Sequence, residues 1–213
     1  MDTQAPRVTS PFTRGVLITA GGTAMGLAAA AVLAVSRDNL EFLFYIAIVV
    51  LLCLGVLIMH WRVRLTTPLL ACLSAWALLH MAGGLIPVPA SWPINGDVRV
   101  LYSWWIIPVG DGGLKYDHVI HAYGFGVSTW LCWQGLGSLV RASGGRVRPT
   151  SGPLLLSVLA ACGLGAFNEI VEFVATRITD TNVGGYVNTG WDLVANLTGA
   201  TAAACLIRLL TPR

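Results

Sequence analysis

The chain has 213 residues, of which 55% are hydrophobic and only 11% charged, with a mean hydropathy of +0.72. Soluble domains carry about 25% charged residues, so the composition excludes a water-soluble protein and points to a membrane-embedded one. The net charge of +3 comes from arginines scattered between apolar stretches, without the basic stripe or motif of a nucleic-acid-binding protein, and no nucleic-acid partner is expected.

A hydrocarbon core of about 30 Å is crossed by about 20 apolar residues rising 1.5 Å each. Six stretches qualify, at 15–35, 41–59, 66–86, 116–139, 153–176 and 190–210. They predict an all-α polytopic membrane protein, its six transmembrane helices forming one bundle over residues 15–210 behind an N-terminal segment, 1–14. Arg7 and Arg14 ahead of the first stretch resemble a signal peptide. The run of 21 residues exceeds an h-region, so a retained first helix is expected.

Gly22 and Gly26 in the first span, Gly124/Gly126 and Gly135/Gly137 in the fourth, and Gly199 in the sixth predict close helix contacts, and small faces of this kind also permit a homo-oligomer. All five cysteines lie inside the spans without a CxxC pair; they read as packing residues, not as disulfides or a zinc knuckle.

The longest connection, 87–115, holds Pro87, Pro89, Pro93, Trp92, Tyr102, Trp104, Trp105 and the Gly112-Gly113 pair. It is expected to lie on the bilayer surface, where Trp and Tyr favour the headgroup level. The glycine-rich connection 181–190 has no phosphate-loop spacing and reads as a lid or as a helix cap, with Asn188 or Thr189 as the N-cap of the sixth helix.

Nine of the thirteen basic residues fall on the face that holds both termini, so both termini are expected in the cytoplasm and the 87–115 loop outside. Nine of the ten acidic residues then map to the outer half.

Several of them share one depth. His80 sits two turns inside the third span. Asp117 and His121, four apart at the start of the fourth, share a helical face that His118 does not. Glu169 and Glu172 are three apart in the fifth, and Asp192 and Asn196 four apart in the sixth, with Gly199 a turn deeper. Carboxylates in an apolar span are costly unless paired, protonated or metal-bound.

One reading is a divalent cation held by His80, Asp117, His121, Glu169 and Asp192, with Asn196 supporting a ligand and Glu172 moving a proton. Mixed nitrogen and oxygen donors suit zinc, manganese or iron better than calcium. A metal with an open position activates water, which would give chemistry on an envelope lipid or lipid-linked substrate. Two other readings use the same residues: a proton- or cation-coupled transporter, and a non-catalytic scaffold in which His121 clasps Glu169 or Asp192 across the bundle. His118 and His60 read as interfacial.

Leu79-His80-Met81-Ala82-Gly83-Gly84, Tyr116-Asp117-x-x-x-His121 with Gly124-Phe125, Glu169-x-x-Glu172 and Trp191-Asp192 resemble a family of uncharacterised bacterial inner-membrane proteins typified by YjdF, over residues 75–200. His118 stands where that motif carries Arg. More loosely, Asp117 with His121, Glu169, and Asp192-x-x-x-Asn196-x-x-Gly199 are similar to the VanZ-like family, with Glu172 in place of its usual Gln. The resemblance implies a bacterial inner-membrane location and a role at the cell envelope, and supplies no established reaction.

Overall fold

The computed structural model describes residues 10–109, 112–178 and 185–211; Arg7, Asp111, Asp180 and residues 181–184 of the 181–190 connection lie outside the described residues. Six helices account for the architecture: α1 (Arg14–Ser36), α2 (Leu40–Val63), α3 (Thr67–Leu85), α4 (Tyr116–Ala142), α5 (Ser151–Ile178) and α6 (Tyr186–Leu210). Their ends follow local chemistry. The Thr13 hydroxyl accepts from the Val16 amide and Asn39 Oδ1 from the Phe42 amide, capping α1 and α2, each replacing a hydrogen bond that the first helical turn lacks. Pro68 opens α3, where a missing amide hydrogen costs nothing. Asp38 and Arg64 take left-handed backbone at the two short turns, folding α1, α2 and α3 back on one another.

Five helices, α1, α2, α3, α5 and α6, are long and apolar enough to cross a membrane. The sixth expected span, α4, is less apolar for a structural reason. It packs against α3, α5 and α6, and Asp117, His118, His121, Ser128 and Thr129 are buried along it. At 27 residues it extends about 40 Å, enough to cross the core while its neighbours shield it from lipid.

The expected glycine contacts form at most of the positions. A Cβ on Gly199 would sit 1.8 Å from the Ala122 carbonyl oxygen, so α4 and α6 meet backbone to backbone, and Gly124 leaves room for the Trp76 indole of α3. Gly26 receives Leu78 and Gly135 meets Met59, whereas Gly22 has nothing within 4 Å; only the second glycine of the first-span pair makes a contact.

The 87–115 connection is more ordered than a surface loop. It contains a 3₁₀ turn at Leu101–Ser103 and an antiparallel hairpin of β1 (Trp105–Val109) and β2 (Gly112–Lys115), so two short strands join the otherwise helical fold. Trp92 and Trp104 stack with ring centroids 4.2 Å apart. Tyr102 is buried, and Gly83 makes its place: a Cβ there would lie 2.4 Å from the Tyr102 ring. Gly84 does the same for Phe42 of α2.

Candidate functional site

The N-terminal ends of α4 and α6 meet the C-terminal half of α5 at one end of the bundle. His121 is at the centre. Its Nδ1 lies 3.1 Å from Asn196 Oδ1 of α6, and because an amide oxygen only accepts, Nδ1 carries the proton. In the neutral ring Nε2 is therefore bare, and it faces Asp117 Oδ1 at 3.6 Å and Glu172 Oε1 at 4.0 Å. Glu169 Oε1 stands 3.7 Å from Nδ1.

The three carboxylate separations exceed hydrogen-bond lengths. They approach the spacing of two donors on one tetrahedral ion, about 3.3 Å for bonds of 2.0–2.1 Å. Two triads, Asp117–His121–Asp192 and His121–Glu169–Glu172, each bring three donor atoms within 4.8 Å of one another, all from buried residues. His121 is common to both.

The electrostatics are unbalanced. Four buried carboxylates, Asp117, Glu169, Glu172 and Asp192, face one imidazole and one ammonium. That ammonium is Lys115, the only lysine in the sequence. It is buried, 3.4 Å from Asp117 Oδ2, and also bonds Asn188 Oδ1. Asn188 Nδ2 donates to Asp192 Oδ2 at 2.5 Å and reaches Asp117 Oδ2 at 3.4 Å. Asn168 donates to Glu172 Oε1 at 2.8 Å.

After these bonds, both oxygens of Glu169 and Oδ1 of the fully buried Asp192 remain without a hydrogen-bond partner. Buried polar atoms are normally satisfied, and lone pairs converging in a low-dielectric interior repel unless a proton or cation lies between them.

Of the expected site residues, Asp117, His121, Glu169, Glu172, Asp192 and Asn196 come together. His80 stands beside them but belongs to neither triad. It is engaged by Tyr102, whose hydroxyl lies 2.5 Å from His80 Nδ1 and 2.8 Å from the His80 carbonyl oxygen. Burial pushes the Tyr102 phenol well above its ordinary range, so the hydroxyl keeps its proton. His118 and His60 are both buried within the bundle. His118 Nδ1 accepts from the Lys115 amide and its ring lies near Trp105 and Trp191; His60 Nε2 is 2.8 Å from the Pro11 carbonyl at the opposite end.

Lys115 and Asn188 are site residues that the sequence reading did not single out. Helix α6 begins at Tyr186, and its N-cap is Gly185, not Asn188 or Thr189. Asn188 is thus inside the helix, four residues before Asp192 and eight before Asn196, on one face. That spacing and the solitary lysine beside Asp117 were the available signals.

The arrangement is that of a multi-pass integral membrane protein with a buried His/Asp/Glu cluster able to coordinate a cation. The chain belongs to the family described as predicted membrane protein (DUF2238), whose model matches residues 18–213. No curated protein and no solved structure matches it.

Proposed function

We propose that the cluster binds a divalent cation and supports metal-dependent chemistry on an envelope lipid or lipid-linked molecule. The observation that carries this reading is that the unpartnered carboxylate oxygens of Glu169 and Asp192 belong to two buried triads that share His121. A cation held by either triad would give these lone pairs the positive partner they lack. Zinc, manganese or iron suits one imidazole among carboxylates. With a coordination position left open, the metal would lower the pKa of bound water, and Glu172, held by Asn168, is the carboxylate placed to accept its proton.

The other readings fit less well. A purely structural clasp would close its hydrogen bonds, and this one leaves Glu169 without any. A transport path needs polar groups beyond the cluster; the buried Thr129 and Ser157 hydroxyls deeper in the bundle are turned back onto the Phe125 and Pro153 carbonyls of their own helices.

The excess of arginines on the opposite face supports an outer-leaflet site in a bacterial inner membrane with both termini cytoplasmic. The Leu79–Gly84 and Glu169-x-x-Glu172 segments support reading the family as the one typified by YjdF, and the Asp192, Asn196, Gly199 pattern, similar to VanZ-like chains, favours an envelope role.

Metal analysis of the detergent-purified protein beside the double variant His121→Ala, Glu169→Ala tests the proposal, with folding of both checked by circular dichroism. A stoichiometric metal in the wild type that is lost from the folded variant is the expected result. A metal-free wild type purified without chelator and still metal-free after incubation with zinc, manganese and iron(II) would overturn it.

A further inference from the structure

A cavity of about 490 Å³ opens among α1, α2, α3 and α5. From Val16 to Ala31 its α1 wall rises about 22 Å, most of the thickness of a hydrocarbon core. Ala20, Ala24, Ala28 and Ala31 line that wall at spacings of three and four, one face of the helix, and their small side chains make the hollow. On α2, Val50 and Leu54 line the cavity while remaining exposed on the molecular surface. The cavity therefore opens sideways, toward lipid rather than water.

One end is polar. Tyr45, His80, Asn168 and Glu172 close it, and Glu172 is a member of the His121–Glu169–Glu172 triad. The Tyr45 hydroxyl is buried without a hydrogen-bond partner. At His80 the Tyr102 hydroxyl donates to the carbonyl; having one proton, it accepts from Nδ1–H, which leaves Nε2 as the free nitrogen of the neutral ring. A long apolar channel thus ends in a hydroxyl donor, an imidazole and a carboxylate that reaches the cation cluster.

We infer that this groove holds one acyl chain of a membrane lipid and presents the oxygen-bearing end of that lipid to Tyr45, His80 and Glu172. An apolar hollow facing hydrocarbon does not retain water, which needs two to four polar partners, and an acyl chain is the neighbour of matching chemistry. The unpartnered Tyr45 hydroxyl matches an ester or phosphate oxygen at the head of such a chain. The inference deepens the proposed function and rests on it for the chemistry at Glu172, although occupancy of the groove is measurable independently.

The test uses the full chain in vesicles of phosphatidylethanolamine and phosphatidylglycerol, doped with phosphatidylglycerol carrying a diazirine in the middle of one acyl chain. After irradiation, labelled peptides are mapped by mass spectrometry. Labelling concentrated on the groove-facing residues of α1 and α2, lost in Ala24→Phe and in Ala28→Phe but retained in Leu209→Phe on the outer surface, is the expected result. Label spread evenly over the lipid-facing surfaces of all helices, or a groove shielded by a second copy and labelled only when the dimer is dissociated, would overturn the inference.

The wild-type map decides the matter even where a filling variant fails to fold. Metal content measured on the same samples separates the two readings. Groove labelling without metal leaves the lipid site standing and removes the cation; metal without groove labelling does the reverse.

Discussion

His121 of α4 and Asn196 of α6, 75 residues apart in the chain, are joined by a hydrogen bond of 3.1 Å that fixes which imidazole nitrogen carries the proton. The Asn196 amide is itself seated by Gly165 of α5, where a Cβ would approach it to 2.7 Å. Three helices thereby set the orientation of one ring. Replacing Asn196 with Ala frees the ring to rotate and removes the acceptor, and loss of such a partner typically lowers metal affinity by about 10–100-fold. Competition against a chromophoric chelator reads that change directly, and affinity unaltered in a folded Asn196→Ala protein would remove Asn196 from the site.

Lys115 supplies the fixed positive charge next to Asp117 and Asp192. Breaking a buried ion pair by removing one partner costs about 3–5 kcal/mol, and both members here are buried. Lys115→Met is expected to lower the midpoint of thermal unfolding in detergent. A second substitution, Asp117→Asn, removes the stranded carboxylate and should recover part of the loss; no recovery would show that Lys115 acts through packing alone.

Gly83 of α3 and Gly22 of α1 differ in the space around them. Gly83→Ala drives a methyl into the Tyr102 ring, and overpacking of this kind costs about 1–3 kcal/mol. It also shifts the hydroxyl that holds His80. Gly22→Ala meets nothing and is expected to be neutral or to stabilise by roughly 0.5–1 kcal/mol, the helix penalty of glycine. Paired unfolding curves should show Gly83→Ala destabilised and Gly22→Ala at or above the wild type.

The α4–α6 contact at Gly199 is stricter still. The obstacle to a Cβ is the Ala122 backbone carbonyl at 1.8 Å, which cannot rotate away, so Gly199→Ala must part the helices that carry Asp117, His121, Asp192 and Asn196. The expected outcome is a larger stability loss than for Gly83→Ala together with weakened metal binding. A folded Gly199→Ala protein with wild-type affinity would mean that the cluster tolerates helix separation.

The helical spans were legible because hydrocarbon thickness sets their length and apolar side chains mark them, and the common depth of Asp117, His121, Glu169, Glu172 and Asp192 followed from counting residues along each span. Lateral order was not legible. His80 has the right depth, yet its ring turns to Tyr102, a residue delivered by the connection after α3. The hairpin was hidden because Trp105-Ile106-Ile107-Pro108-Val109 reads equally as interfacial sequence, and its pairing depends on Gly113, whose φ of +129° and tight approach to the Ile107 carbonyl leave no room for a Cβ. Asn188 read as a helix cap and not as a site residue because α6 starts at Tyr186, a turn before the apolar run begins.

The solitary lysine also gives the protein a built-in reporter. Its amine is enclosed by Asp117 and Asn188, so an amine-directed reagent can reach it only when the ends of α4 and α6 move apart. The rate of acylation at that single position would time the opening of the cluster in the unmodified chain, with no label introduced and no residue changed.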